Sequence, residues 1–446
     1  MMMPSWRHSI NPCSFRNIEG YEFAALSMRL YTPDPYLGDM NGRILYPTII
    51  LCLVAIIIIA GFALMSLHGM QPESVQNGSA AGAASQPIRI GAIYNLEGPQ
   101  ATFDVPSARG ALLAAEMINE KGGVDGRQIE LILIDGKSNL SMVTAASEEL
   151  ARMKVPVIIG VSDPENALAA GRPAAAHRIY FVTSGATSPG LPVQVPDYLY
   201  LACMGDNTQA AVAAEYARGV IGAENVYILY DSGKQYPTIL AGYFRESFEE
   251  LNGTVIAVDT FRSDDGNVTT QIASLSAISP GPDMVYLSTE TWADAAPVIE
   301  EIRRAGLTMP IFGGDGYDAP VLLTGGAEGV NDVYYTTHTY FNSSTDDPGK
   351  RSFMTRYMQK YNETAVPFAG LGYDAVGIVA ESFRLSGPSG DFPEGIGKIS
   401  LYQGVTGNLT YAGGSHVPTK TVTVMMIRNG TPVYRGEYVP AKVPAS

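Results

Sequence analysis

Apolar residues alternate with others at Ile88, Ile90 and Ala92, and this period of two predicts a strand. A loop follows over 94–106, with Gly98-Pro99 and a single aromatic, Phe103. From Ser107 the period lengthens to that of a helix, through Ala111, Leu112, Ala115 and Ile118. Gly122-Gly123 end it, because glycine takes the left-handed C′ conformation without a Cβ clash. A second strand is predicted over 129–134. Strand, helix and strand make a βαβ unit with a right-handed crossover. Ligands of such sheets bind beyond the carboxyl ends of the strands, so 94–106 is the first candidate binding loop.

The same switching of period continues down the chain. Strands are predicted over 155–159, 179–182, 226–230, 254–258, 283–288, 332–336 and 421–427. Helices are predicted over 139–153, 207–220, 237–251, 294–305, 349–361 and 371–385. The alternation implies an α/β chain with parallel sheets covered by helices on both faces. About 360 residues of it exceed what one core organises, so two lobes are expected.

The preceding part reads differently. Residues 44–67 carry no charge over a length that spans a bilayer. Arg7, Arg16, Arg29 and Arg43 precede this run, while His68 and Glu73 follow it. The positive-inside rule then places the N-terminus in the cytoplasm and the folded part outside. An uncleaved single-pass transmembrane helix is expected, with a cleaved signal as the alternative. Met40 reads as the initiator, which makes 1–39 a disordered tail or a mis-assigned start. Residues 69–86 form a Gly/Ala/Ser/Gln linker suited to a tether.

Composition narrows the classes. The net charge of −15 argues against nucleic acid, whose phosphates it would repel. Of Cys13, Cys52 and Cys203, only the last lies in the folded part, so no internal disulfide is expected there. No Cys/His cluster suggests a metal, and no cofactor is expected. Asn77, Asn139, Asn252, Asn267, Asn342, Asn362, Asn408 and Asn429 each begin an N-x-S/T sequon, which suggests an N-glycosylated exported surface. The motifs G-x-S-x-G, P-loop and H-E-x-x-H are absent, and no enzyme is expected.

Candidate chemistry lies in loops after the predicted strands: 94–106, 160–166, 183–189, 231–236, 288–292 and 313–318. Ser, Thr and Gly at helix N-termini offer donors to a ligand carboxylate. Asp315 facing them would take an ammonium group. Phe103 or Trp292 would close over an apolar portion. Together these describe a site for a zwitterion.

The order and spacing of these pieces resemble the periplasmic-binding-protein type 1 family, in particular its branched-chain amino-acid/amide receptors of ABC transporters. The resemblance covers about residues 88–430. It rests on Gly98-Pro99, Gly110-Ala111, Ala114-Ala115, Ile118-Asn119, Gly122-Gly123-Val124 and Gly126. It continues through Ile159-Gly160, 183–189, Asp231 with Tyr236, and 299–307 followed by 313–317. It implies two doubly wound lobes, 88–204 with 337–412 and 205–336 with 413–446. Three crossovers near 201–206, 334–340 and 409–418 would join them, and the ligand would be trapped by hinge closure. The resemblance further implies Phe103 as an aromatic over the ligand. Gly185 and Thr187 would hold its carboxylate and amino group, Tyr236 would be the tyrosine after the fourth strand, and Asp315 the acid for the ammonium. Of 162–165, only Ser162 fits the family's carboxylate grip: Pro164 has no N–H, and Asp163 and Glu165 would repel an anion. An amide, a cationic ligand or another orientation follows as an alternative to a plain α-amino acid. The cysteine pair of some members is missing. The implied function is a membrane-tethered receptor that delivers a small amino acid or amide to an ABC permease. A sensory ectodomain on the same fold is the alternative.

Overall fold

A computed structural model describes residues 86–445 apart from 320, 321, 323–329, 388 and 389. The apolar run 44–67, the tail before it and nearly all of the linker lie outside the described residues. Among the described residues no helix is long and apolar enough to cross a membrane.

The first sheet holds β1 (Ile88–Tyr94), β2 (Ile129–Asp135), β3 (Val157–Gly160), β4 (Tyr180–Thr183) and β5 (Leu199–Leu201). Its order is β2-β1-β3-β4-β5, and every pairing is parallel. The period of two explains why both faces are covered. Ile88, Ile90, Ala92 and Tyr94 point into one apolar cluster, and Ile93 between them points into another. Helices α1 (Ala101–Glu120), α2 (Leu140–Arg152), α3 (Pro164–Ala176) and the short α4 (Leu191–Gln194) alternate with these strands.

Besides the short α4, which no period predicted, two of these helices depart from the expectation. Helix α1 begins at Ala101, so Phe103 stands in a helical turn rather than a loop. Pro106, read as a loop residue, lies inside the helix. The early start is held by Asp104, whose Oδ2 accepts from the backbone N–H and the Nδ2 of Asn95, at 2.9 Å each. Helix α3 was unexpected, because Asp163-Pro164-Glu165 read as loop. Asp163 is its N-cap and Pro164 its first residue, where a missing N–H costs nothing.

The second sheet contains β6 (Asn225–Asp231), β7 (Thr254–Phe261), β8 (Met284–Ser288), β9 (Ile311–Gly313), β10 (Val333–Thr337), β14 (Val422–Arg428) and β15 (Thr431–Tyr438). Its order is β15-β14-β10-β9-β8-β6-β7. The first five are parallel, and β14 and β15 add an antiparallel edge. Helices α5 (Asp206–Tyr216), α6 (Gln235–Glu250), α7 (Thr269–Ala277) and α8 (Trp292–Arg304) belong to this half.

The chain leaves the first sheet after β5 and returns to its side after β10, through α9 (Pro348–Tyr361), α10 (Pro367–Ser386) and α11 (Phe392–Gly397). A small antiparallel sheet of β11 (Tyr402–Gly404), β12 (Gly407–Thr410) and β13 (Thr419–Lys420) precedes the last passage to β14. Helix α10 packs closely on α1. A Cβ on Gly110 would stand 1.8 Å from the Ala369 carbonyl oxygen, and one on Gly372 would stand 1.8 Å from that of Ser107. The buried Lys420 ties the passages together. Its Nζ donates to the carbonyls of His338 at 2.9 Å and Thr406 at 2.6 Å.

Candidate functional site

Several loops at strand carboxyl ends, together with the starts of three helices, converge on one cavity between the two large sheets. From the side of the first sheet come Phe103 in the first turn of α1, Ser162 and Asp163 after β3, and Gly185 and Thr187 after β4. Phe368, in the first turn of α10, joins them. From the second sheet come Tyr236 at the start of α6, Glu290 after β8, and Asp315 with Gly316 after β9. This is the position that parallel α/β sheets reserve for ligands.

The wall from the first sheet is built for close approach. A Cβ on Gly185 would meet Ser162 Oγ at 2.8 Å and the Phe368 ring at 3.1 Å, so any larger residue would displace these two side chains. Ser162 Oγ is itself buried without a hydrogen-bond partner. The rings of Phe103 and Phe368 lie 4.6 Å apart between centroids, at 38°, and form an apolar side.

The facing wall is organised around Asp315. Its Oδ1 accepts from Tyr236 Oη at 2.5 Å and from Gln209 Nε2 at 2.8 Å. Its Oδ2 lies 2.9 Å from His338 Nε2. Thr336 Oγ1 in turn donates to Gln209 Oε1 at 2.7 Å, which fixes the amide's orientation. Burial opposes ionisation of Asp315, but the His338, Tyr236 and Gln209 donors together outweigh it and hold the carboxyl below its usual range.

The remaining carboxyl groups behave in the opposite way. Burial pushes Asp163 up to about 6. Burial, followed by the charge of Asp163, pushes Glu290 up to about 7. Burial also raises Asp104, behind Phe103, and Asp206, beside Thr187, to about 7 each. Glu290 reaches across the cavity, where its Oε1 accepts from Gln100 Nε2 at 3.0 Å. The cavity is narrow, at ≈ 20 Å³, where one water needs roughly 10–15 Å³. Its walls must part to admit a solute.

Of the residues singled out from the sequence, Phe103, Ser162, Gly185, Thr187, Tyr236 and Asp315 come together in this cavity. Trp292 does not line it. Its ring packs on Tyr317 at 5.6 Å between centroids, T-shaped and buried, at the edge of an outer crevice. Glu165 also faces outward, so of the two acids after Ser162 only Asp163 lines the cavity. Sequence reasoning missed Asp163 as a cavity residue, together with Glu290, Gly316 and Phe368. Glu290 lay inside a loop already singled out, but Trp292 drew attention from it. Phe368 follows no strand, so the strand-end rule had no purchase on it. Among the described residues no cluster of His, Cys, Asp and Glu has the arrangement to hold a metal ion.

Comparison with known proteins gives consistent results. A 1.0 Å structure of a branched-chain amino acid transporter substrate binding protein from Streptococcus pneumoniae, in complex with isoleucine, is 26% identical. It superposes with a TM-score of 0.70 over 79% of this chain and 99% of that one. A leucine binding protein from Thermotoga maritima is 27% identical, with the same TM-score and coverage. A Leu/Ile/Val-binding protein homologue from Brucella melitensis is 24% identical over 70% of this chain and 82% of its own length. The model of the periplasmic binding protein family matches residues 87–432. With the ligand position of its paired α/β sheets, the chain belongs to the periplasmic binding protein family.

Proposed function

We propose that this chain is the extracellular solute receptor of an ABC importer and that it binds an amino acid between its two halves. The observation that carries this reading is the cavity itself. The hydroxyls of Ser162 and Thr187, beside Gly185, face an ionised carboxylate, Asp315, across a gap between two sheets. That is the polarity a zwitterion requires: donors for its carboxylate and an acid for its ammonium. Phe103 and Phe368 supply contact for the carbon skeleton. The relatives named above are binding proteins for leucine, isoleucine or valine, which supports an amino-acid class of ligand. Loading and release would proceed by hinge closure at the passages following β5, β10 and β12. The run 44–67 would anchor the receptor in the membrane beside its permease, with residues 69–86 as the tether.

The test is binding to the full-length chain, purified in mild detergent. Thermal shift and calorimetry against the twenty amino acids and simple amides should find at least one that raises the melting temperature, because a ligand of the closed form stabilises it. Asp315→Ala should weaken that ligand by at least ~10-fold, the loss of one charge-assisted contact. A panel in which no amino acid or amide shifts the transition would overturn the proposal.

A further inference from the structure

The cavity carries more negative charge than a neutral amino acid needs. Three of the ten lining residues are carboxylic acids, Asp163, Glu290 and Asp315, and none is Lys, Arg or His. Asp315 already accepts from Tyr236 and Gln209 and lies against His338, which leaves acceptor capacity for a single ammonium group. Among the described residues no ion pair joins Asp163, which accepts from the Asn166 backbone and side chain, or Glu290 to a cation. They come from opposite walls, and the charge of Asp163 adds to burial in raising Glu290 across the gap. Closing the cleft therefore drives two carboxylates together. Lys234 stands at the mouth, in both outer crevices with Glu290. Among the described residues no ion pair joins it to either acid, although its charge does oppose the rise of Glu290. Asp206, fully buried beside Thr187, adds a further carboxylate whose Oδ2 has no hydrogen-bond partner.

The position of Glu290 gives the extra charge a direction. It lines the inner cavity and both crevices that lead outward, while Asp163 lines the cavity and one of them. A ligand whose head meets Ser162, Gly185, Thr187 and Asp315 would run past Phe103 toward these two acids. We infer that the ligand is a basic amino acid, whose side-chain ammonium or guanidinium sits between Asp163 and Glu290 and bridges the two walls on closure. This rests on the reading of the cavity as an amino-acid receptor site. A cation placed there turns the repulsion across the gap into two attractions, so the ligand's charge, and not only its shape, drives closure. Neutral side chains leave the repulsion in place. The groups facing Glu290 are Asp163, Lys234, Asp294 and the Gln100 amide, and Glu165 faces Asp163.

Calorimetry on the full-length chain in detergent tests this with matched pairs: arginine against citrulline, and lysine against norleucine, with leucine alongside. The expected result is a preference for the charged member of at least ~10-fold. Its binding at pH 6.5 should release protons, seen as a dependence of the binding enthalpy on the buffer's ionisation enthalpy. Glu290→Gln and Asp163→Asn keep the shape of each side chain, and asparagine also retains the N-cap of α3. Each should collapse the charged-to-neutral ratio toward one, with folding checked by the melting temperature without ligand. If citrulline, norleucine or leucine binds as tightly as its charged counterpart, the inference is wrong while the receptor reading stands. A preference that persists in both variants also overturns it. Failure of every amino acid to bind would remove the receptor reading and this inference with it.

Discussion

Asp315 shows how one carboxylate holds a wall of the cleft. Removing it would leave Tyr236 and His338 as buried groups without this acceptor, and Gln209 Nε2 with Asp206 Oδ1 alone. Breaking a buried charged network of this kind costs about 3–5 kcal/mol. Asp315→Ala should therefore lower the unfolding free energy read from urea titration by that amount, in addition to weakening ligand binding. A variant as stable as the parent would show that the network contributes nothing. Trp292 makes a complementary case. Thr291 caps α8 and forms a capping box with Asp294. The chain thus enters the helix at Trp292, whose ring turns into the core against Tyr317, while Glu290, one residue outside the cap, points at the cleft. Trp292→Ala should cost about 3–5 kcal/mol in denaturant unfolding, as a large-to-small core change does. The period of two places successive residues on opposite faces only within strands. At a helix cap the direction of each side chain depends on the capping geometry. The sequence alone therefore picked the loop 288–292 but the wrong side chain within it.

At the scale of elements, the packing of α1 on α10 is a tight constraint. Gly110 and Gly372 each place a backbone carbonyl of the partner helix where a Cβ would go. The obstacle is backbone, not a flexible side chain, so the helices must move apart. Gly372→Ala should destabilise by at least ~1–3 kcal/mol, the usual cost of overpacking, as read from urea unfolding. Since α1 carries Phe103 and α10 carries Phe368, the same variant should also weaken ligand binding. Most strands of the two large sheets and most helices were legible because their apolar periods are regular, while β5 and the small sheet β11–β13 are too short to show one. The start of α1 was not, because Pro106 imitates a boundary and the tie from Asp104 to Asn95 is a contact between elements. The hairpin β14–β15 was missed for another reason. Asn429-Gly430, with φ of 49° and 72°, is the two-residue turn that such a hairpin favours. The same letters open a sequon, and only that meaning was taken from them.

For the molecule as a whole, the surface and the interior suggest separate experiments. All seven sequon asparagines among the described residues are exposed, at 139, 252, 267, 342, 362, 408 and 429. Intact mass of protein from its native host should therefore exceed the sequence mass, and Asn→Gln changes should remove the increments one by one. A mass equal to that of the polypeptide would refute glycosylation. The interior bears on pH. Asp163 and Asp374 are raised to about 6, and Asp104, Asp206 and Glu290 to about 7, all chiefly by burial. In the unfolded chain such groups titrate near 4. Between about pH 4 and 7 the folded state thus binds more protons than the unfolded state, and its stability falls as the pH rises. Asp315 works in the other direction, since its depressed value contributes stability that is lost only as the pH falls below the usual carboxylate range. The unliganded protein should accordingly be most stable in mild acid, its melting temperature rising by at least ~3 °C from pH 7.5 to 5. A melting temperature that is flat or falls over that interval would show that these acids are solvated or paired in the folded state. A cationic ligand adds a further expectation. By drawing Asp163 and Glu290 into their charged forms, it should stabilise the protein more at pH 7.5 than at pH 5. The curves with and without ligand should then converge toward acid. A neutral ligand would leave them parallel.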